Sequence, residues 1–269
     1  YAYFGYPITT LLASAIFFYR SISAVTLVQL NRQKLYEKIG SIEIVEKELK
    51  TSTRNREINS YQKIEIFDKE LEFKDLSYTY PNTKEKILNN INLKIRKNSM
   101  IAIIGESGAG KTTLVDMITF INKPSSGSLY IDGIHNSEID LKSWRENLGY
   151  VTQDPYLYSD TIMNNVTLKS ESNEYIDKNL FIDCLKKASI YDYVKSLPNK
   201  YHTFVGEGGL ALSGGQRQRL CIARELYRKP NLLILDEATS ALDRNSEVKI
   251  QKSLLNLKNK TTLIIIAHR

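Results

Sequence analysis

The stretch Gly105-Glu106-Ser107-Gly108-Ala109-Gly110-Lys111-Thr112-Thr113 decides the fold of this 269-residue chain. It has the spacing G-x-x-x-x-G-K-[ST], in which a glycine-rich loop leads from a strand into a helix and holds phosphate groups. The preceding run 99–104 is short and apolar, as a buried parallel strand is, and 111–120 has the spacing of a helix. The sequence therefore predicts an α/β fold of the P-loop type.

The residue types in this loop suit a bound phosphate. Its three glycines let backbone N–H groups approach phosphate oxygens without an intervening Cβ atom. The helix that begins at Lys111 adds the partial positive charge of its N-terminus, and the Lys111 ammonium adds a full charge beside the β- and γ-phosphates. Thr112 would offer its hydroxyl to Mg²⁺. The predicted nucleotide-binding residues are Gly105, Glu106, Ser107, Gly108, Ala109, Gly110, Lys111, Thr112 and Thr113.

Two further apolar runs end in polar residues that point to the same site. The run 232–235 is followed by Asp236 and Glu237, and the run 262–266 by Ala267, His268 and Arg269. Carboxylates at the carboxyl edge of a parallel sheet lie where ligands bind in such folds. We expect Asp236 to hold Mg²⁺ through water. Glu237 would polarise the attacking water, because a general base must lie within hydrogen-bond reach of its proton.

Further short motifs follow one another between residues 64 and 269. They are Tyr80 within Ser77-Tyr78-Thr79-Tyr80-Pro81, Gln153 within Tyr150-Val151-Thr152-Gln153-Asp154, Glu207 within Val205-Gly206-Glu207-Gly208-Gly209, the pentapeptide Leu212-Ser213-Gly214-Gly215-Gln216, the tetrapeptide Ser240-Ala241-Leu242-Asp243, and His268. With the loop and the two acids, this order resembles the ATP-binding half of an ABC transporter of the exporter type. The resemblance covers most of the chain. It implies an ABC-type ATPase fold with a helical signature subdomain, and ATP hydrolysis coupled to transport.

The resemblance also implies roles for the matched residues. Tyr80 would stack on adenine, and Gln153 would contact Mg²⁺ and sense the membrane domain. His268 matches the switch histidine, so the implied catalytic residues are Glu237, Gln153 and His268. Glu207 matches an exporter-specific acid near the coupling interface, although glycine follows that acid less often in the family. An ordinary core tyrosine, a surface glutamine and a strand-end histidine are the alternatives for Tyr80, Gln153 and His268.

The pentapeptide 212–216 is the family signature, and its residue types suit a helix N-terminus that binds an anion. Ser213 can cap a helix predicted over 214–228, which Lys229-Pro230 closes. Gly214 and Gly215 let backbone N–H groups approach an anion, which by resemblance is the γ-phosphate bound to the opposite subunit. The implied assembly is a head-to-tail dimer with a second copy or a homologous half. The loop 240–243 would cross this dimer.

The first fifty residues have a different composition. Residues 1–19 carry no charge and 21–31 are again uncharged. A helix of nineteen residues spans about 28 Å, close to the thickness of a bilayer core. The aromatic residues within 1–6 suit a membrane interface. A signal peptide would need a basic start and a cleavage site, and neither is apparent in this stretch. We therefore expect a transmembrane helix, with a core helix of a soluble domain as the alternative.

Downstream of this stretch, Leu35, Ile39, Ile42 and Leu49 recur at helical spacing, and Arg32 and Lys34 favour the cytoplasmic side. The predicted organisation is a last transmembrane helix with its cytoplasmic extension over 1–50, a polar linker over 51–62, and an ATP-binding domain over 63–269. We expect this domain to be truncated at its C-terminus. The predicted location is the cytoplasmic (inner) membrane, in contact with lipid and with the ATPase domain on the cytoplasmic face.

Composition excludes few function classes. The formal net charge is +7, but lysines and acids are interspersed, so no nucleic-acid partner is expected. The first hypothesis is an exporter subunit that moves a lipid-linked, amphiphilic or peptide substrate. The spacing of 124–127 before Asp132-Gly133 is also similar to flippases of lipid-linked oligosaccharide. The alternatives are a soluble ABC-type ATPase of DNA repair or translation and a nucleotide sensor that does not hydrolyse ATP. The transported substrate does not follow from this sequence.

Overall fold

The computed structural model describes residues 7–54, 62–81, 83–169, 175–238, 244–257 and 260–267. The chain divides into two compact units, Tyr1–Ile58 and Asn59–Arg269. The described part of the first unit is a single helix, α1, over Ile8–Arg54. In the described part of the chain, Ile8–Ser52 is the one helix whose length and composition suit a membrane crossing, with a mean hydropathy of 1.7 in its most apolar window.

Helix α1 extends further than the sequence pattern indicated. It includes residues 51–54, the first four of the predicted linker, because that segment contains neither proline nor glycine to end a helix. The described side chains of α1 are exposed along its whole length. The predicted interfacial aromatics within 1–6 and linker residues 55–61 lie outside the described residues.

The described residues of the second unit form two four-stranded sheets. The strands are β1 Glu70–Thr79, β2 Lys86–Arg96, β3 Met100–Ile104, β4 Ser126–Ile131, β5 Ile134–His135, β6 Leu148–Val151, β7 Leu232–Asp236 and β8 Thr262–Ala267. The antiparallel sheet has the order β2-β1-β4-β5, and the parallel sheet has the order β3-β8-β7-β6. The helices after α1 are α2 Lys111–Ile118, α3 Leu141–Glu146, α4 Ile162–Thr167, α5 Lys178–Lys187, α6 Tyr191–Ser196, α7 Gly214–Tyr227 and α8 Arg244–Leu255.

The parallel sheet brings the predicted site residues to one edge. Strand β7 is buried along its whole length and pairs in parallel with β6 and β8, as expected for a short apolar strand covered on both faces. Because β3, β6 and β7 run in the same direction, their carboxyl ends meet at one edge of the sheet. The three strands predicted around 99–104, 232–235 and 262–266 are present, and the α/β fold of the P-loop ATPase type is confirmed.

One apolar core lies between the antiparallel sheet and α2, and another lies among the helices α4 to α7. It includes the buried side chains of Phe181, Ile222 and Val205, and it contains both cysteines as free thiols. Burial raises the pKa of Cys184 and of Cys221 to about 11, so both remain protonated at neutral pH. The segment 180–197, which has helical spacing in the sequence, forms two helices here. Ser189 separates them because its φ of 56° lies in the left-handed region, where helices end.

Candidate nucleotide-binding site

The loop between β3 and α2 has the backbone geometry that its glycines permit. Gly108 has a φ of 82° and Gly110 a φ of 86°, in the left-handed region that glycine adopts without strain. A Cβ atom on Gly110 would lie 3.1 Å from a side-chain carbon of Ile87, so this position is also crowded. Gly105 has neither constraint, because its Cβ would meet only ordinary contacts. The loop conformation thus requires glycine at two of its three glycine positions.

Lys111 folds back over this loop. Its ammonium donates hydrogen bonds to the carbonyl oxygens of Gly105 at 2.9 Å and Glu106 at 2.8 Å. The side chain is only 9% exposed, so its charge is fixed between the loop and the N-terminus of α2. An anion bound in the loop would meet this ammonium and the positive end of the helix together.

Asp236 ends β7 and accepts two hydrogen bonds on the same oxygen. The Thr112 hydroxyl donates to its Oδ2 at 3.4 Å, and the Tyr150 hydroxyl donates to it at 3.3 Å. Burial raises the pKa of Asp236, and the charge of Glu237 acts in the same direction. The two hydroxyl donors and the Lys111 ammonium lower it again without cancelling the effect of burial. Tyr150 was not among the predicted site residues, although it lies in the quoted stretch 150–154.

Glu237, the next residue, has an unusual backbone conformation. Its φ is 49°, in the left-handed region that a residue with a long side chain seldom adopts. The Gln153 amide donates to its carboxylate at 3.0 Å, so two of the three predicted catalytic residues are in direct contact. Such a conformation costs on the order of 1–3 kcal/mol and persists where the surrounding structure holds it.

An open cavity of about 330 Å³ lies against these residues, within the size range of small-molecule sites. Its lining consists of Tyr80, Ile87, Ser107, Gly108, Gly110, Lys111, Thr112, Thr113, Gln153 and Glu237. Tyr80 is 39% exposed and packs edge-on against Tyr78. Its hydroxyl oxygen lies 3.2 Å from the hydroxyl oxygen of Thr113. An aromatic ring, the loop, a cation and a carboxylate therefore face one space. Ile87 is a lining residue that the sequence pattern did not indicate.

The signature residues lie at the start of α7. Ser213 accepts a hydrogen bond from the backbone N–H of Gln216 at 3.2 Å, and the Gln216 side chain accepts one from the Ser213 N–H at 2.8 Å. This capping box stabilises the helix N-terminus, and it confirms the predicted cap. Leu212 is buried, whereas Ser213 is exposed. Within the described part of the chain, none of 212–216 lines the cavity.

Glu207 is exposed and begins a short turn, Glu207–Gly209, beside the segment that follows Gln153. A Cβ atom on Gly208 would lie 3.9 Å from the ring of Tyr156, so the two segments adjoin. Four exposed apolar side chains on these two segments are called the aromatic patch: Tyr156, Tyr158, Phe204 and Leu210. The predicted dimer loop, Ser240, Ala241, Leu242 and Asp243, and the predicted switch residue His268 lie outside the described residues.

The oxygen atoms at this site fit a magnesium ion. Thr112 and Asp236 place a hydroxyl and a carboxylate side by side at the cavity edge. Mg²⁺ prefers oxygen ligands and is usually held by one or two carboxylates together with substrate phosphates and water. In the described part of the chain, no group of three or more His, Cys, Asp or Glu side chains is arranged to hold a metal ion by itself.

Comparisons with known proteins agree with this geometry. Residues 88–240 match the family described as ABC transporter. ABC transporter B family member 13 of Arabidopsis thaliana is 43% identical over 199 residues, which are 74% of this chain and 16% of that protein. ABC multidrug transporter MDR2 of Trichophyton equinum is 42% identical over 209 residues, 77% of this chain and 16% of that protein. A solved structure of a bacterial Atm1-family ABC exporter with ATP bound has 32% identity and a TM-score of 0.74, covering 86% of this chain and 40% of that one.

The fold and the site define a P-loop ATPase domain, in which a phosphate loop and the carboxylate of Glu237 face one cavity. The chain belongs to the ABC transporter family, and its ATP-binding domain is homologous to those of B-family exporters. The resemblance identified from the motifs is confirmed. This chain spans about 16% of the length of the curated relatives it matches.

Proposed function

We propose that this chain binds ATP with Mg²⁺ and hydrolyses it to drive an exporter. The observation that carries the proposal is the single cavity that Lys111, Gln153 and Glu237 line together. Phosphate-binding and water-activating groups have to face the same nucleotide for hydrolysis, because the attacking water must approach the terminal phosphorus in line. The family relationship supports ATP as that nucleotide.

The loop 105–113 would bind the phosphates. Its left-handed glycines, the N-terminus of α2 and the Lys111 ammonium supply positive potential from one side. Tyr80 would cover the adenine. Thr112 and Asp236 would hold Mg²⁺, directly or through water, with Gln153 nearby. Held there, the ion would supply positive charge against the negative charge that develops during phosphoryl transfer.

Glu237 would orient the attacking water and accept its proton. Its carboxylate lines the cavity and accepts a hydrogen bond from the Gln153 amide, so it faces the space where a nucleotide and the attacking water would meet. His268 is proposed to assist from the end of β8. These roles are assigned from the arrangement of the residues and from the family pattern.

We further propose a head-to-tail dimer with a second copy or a homologous half. The signature 212–216 lies outside the cavity of its own chain, and Ser213 is exposed at a capped helix N-terminus. An exposed N-terminus of a fourteen-residue helix can receive the γ-phosphate of a nucleotide bound to another subunit. The loop 240–243 is proposed to contribute to the same interface.

The aromatic patch is proposed as the surface that meets the membrane domain. In the sequence its residues follow Gln153 and flank Glu207, the two residues that the family pattern assigns to coupling. Arg224 of α7 donates to the carbonyl oxygen of Tyr156 at 3.0 Å and to that of Asn165 at 2.7 Å. The signature helix and the aromatic patch are therefore joined, and a displacement of α7 would move the patch with it.

The transporter is proposed to lie in the cytoplasmic (inner) membrane with the ATPase domain on the cytoplasmic face. Helix α1 would contact lipid as the last membrane helix. The proposed organisation of the chain is this helix with its cytoplasmic extension over 1–50, a linker over 51–62 and the ATP-binding domain over 63–269. The exporter relatives favour this over a soluble ATPase of DNA repair or translation. The proposed substrate is lipid-linked, amphiphilic or a peptide.

The test is ATP turnover by the protein that carries this sequence, reconstituted in lipid nanodiscs, with Lys111→Ala beside Lys123→Ala. Lys123 is exposed and does not line the cavity, so it controls for the loss of one positive charge. We expect Lys111→Ala to lose tight ATP binding and turnover and Lys123→Ala to retain both. Equal ATP affinity in the two variants would contradict the proposed function.

A further inference from the structure

Gln218 is a buried polar side chain that the proposed chemistry does not use. It lies on α7, two residues beyond the signature, and is 1% exposed. Its Nε2 donates to the backbone carbonyl oxygen of Glu237 at 3.2 Å. Its Oε1 has no hydrogen-bond partner among the described residues. A buried amide with an unpaired oxygen costs folding free energy. The hydrogen bond from Nε2 to the Glu237 carbonyl therefore best explains why a glutamine is buried here.

The group it holds is the strained backbone of Glu237. Both backbone polar groups of this residue are occupied, since its N–H donates to the carbonyl oxygen of Ile266 at 3.1 Å and its carbonyl accepts from Gln218. A left-handed conformation in a non-glycine residue persists only where its surroundings fix it. Ile266 fixes it from β8, and Gln218 fixes it from the signature helix.

We propose that Gln218 is a positioning residue that holds the Glu237 backbone and so aims its carboxylate at the attacking water. This inference rests on the proposed role of Glu237 in hydrolysis. Because Ser213 caps α7, Gln218 also joins the signature of one subunit to the catalytic carboxylate of the same subunit. In the proposed dimer, engagement of the opposite nucleotide by Ser213 would then set the position of Glu237 in its own site.

The test begins with Gln218→Met, which replaces the amide by an apolar side chain of similar length. Misplacement of a reacting group by about 1 Å can cost about 10²-fold in rate. We expect kcat for ATP to fall at least about tenfold with KM nearly unchanged, because nucleotide binding does not use Gln218. The Tm should stay within about 4 °C of the parent. Gln251→Met, on the exposed face of α8, is the matched control and should change neither value.

A double-mutant cycle separates positioning from a structural effect. If Gln218 acts through Glu237, adding Gln218→Met to Glu237→Gln changes the residual turnover little, whereas independent effects multiply. Multiplied effects, or an unchanged kcat in Gln218→Met, would overturn the proposal. If Gln218→Met lowers the Tm further than expected, Gln218→Leu takes its place in the cycle. Unfolding of both variants would show a purely structural role and would equally overturn it.

The same measurements distinguish this inference from the proposed function. Turnover at the parent rate by Glu237→Gln alone contradicts the role of Glu237 itself. An inactive Glu237→Gln beside a fully active Gln218→Met leaves the role of Glu237 standing and overturns only the positioning role of Gln218.

Discussion

The hydroxyl of Tyr150 lies 3.3 Å from Oδ2 of Asp236 and donates a hydrogen bond to it across neighbouring strands. The same oxygen accepts from Thr112, so a tyrosine from β6 and a threonine from α2 converge on the carboxylate that ends β7. The charge of Asp236 contributes to raising the pKa of Tyr150, after the larger effect of burial, so the tyrosine stays a donor at neutral pH. The proposed metal-binding carboxylate is thus held from two sides.

Tyr150→Phe should therefore weaken the response to Mg²⁺ without unfolding the domain. Removal of a group that orients a metal-binding carboxylate typically costs about 10- to 100-fold in metal affinity or activity. The measurement is ATP turnover against Mg²⁺ concentration, and the curve should shift to higher Mg²⁺. Tyr130→Phe, on β4 of the antiparallel sheet, serves as the control. A curve that coincides with that of the parent would show that Tyr150 does not position Asp236.

Asp236→Asn should stabilise the nucleotide-free protein while it abolishes turnover. Burial raises the pKa of Asp236 above 3.8, so ionisation of this side chain costs folding free energy at neutral pH, and a neutral isostere avoids that cost. The Tm should rise, by about 2–4 °C for each kcal/mol gained. The pKa of Asp236 is higher in the folded protein than in the unfolded chain. The stability gained by Asp236→Asn is therefore fully present above the folded pKa, and it declines as the pH falls from that pKa toward 3.8. Calorimetry over this pH range should show that trend, and a lower Tm for Asp236→Asn at neutral pH would contradict it.

These two predictions depend on contacts that the sequence pattern did not supply. The glycine-rich loop, the strands β3, β7 and β8 and the cap at Ser213 were predictable because each depends on residues close together in the chain. Tyr150, Ile87 and Gln218 were missed because each reaches the site from an element distant in sequence. Whether Tyr150 faces Asp236 depends on the pairing of β6 with β7, which periodicity alone does not determine.

Two substitutions of Ser213 should separate helix capping from contact with the partner subunit. Ser213→Ala removes the cap and should cost about 1 kcal/mol, a fall of about 2–4 °C in Tm. Ser213→Arg should still bind ATP but fail to dimerise, because a large side chain occupies the surface proposed to meet the opposite nucleotide. Size-exclusion chromatography and crosslinking with ATP test this. An ATP-dependent dimer of Ser213→Arg would remove the signature from the interface.

Helix α1 should make the chain dependent on detergent or lipid. Its apolar side chains from Ile8 to Leu30 are exposed along the helix, and water disfavours so large an apolar surface. We expect the chain 1–269 to be monodisperse only with detergent, whereas 62–269 should not share this requirement. Light scattering with and without detergent measures the difference. A monomeric 1–269 in plain buffer would contradict a membrane-spanning α1.

The most direct test of the account is ATP turnover by Glu237→Gln in the reconstituted protein. The substitution keeps the size of the side chain and its hydrogen bonding but removes the charge that accepts the proton of water. Loss of such a group typically costs about 10²- to 10⁴-fold in rate. We expect that ATP still binds and that a closed, ATP-bound dimer accumulates. Hydrolysis at the parent rate would contradict it and would make His268 the next candidate for the base.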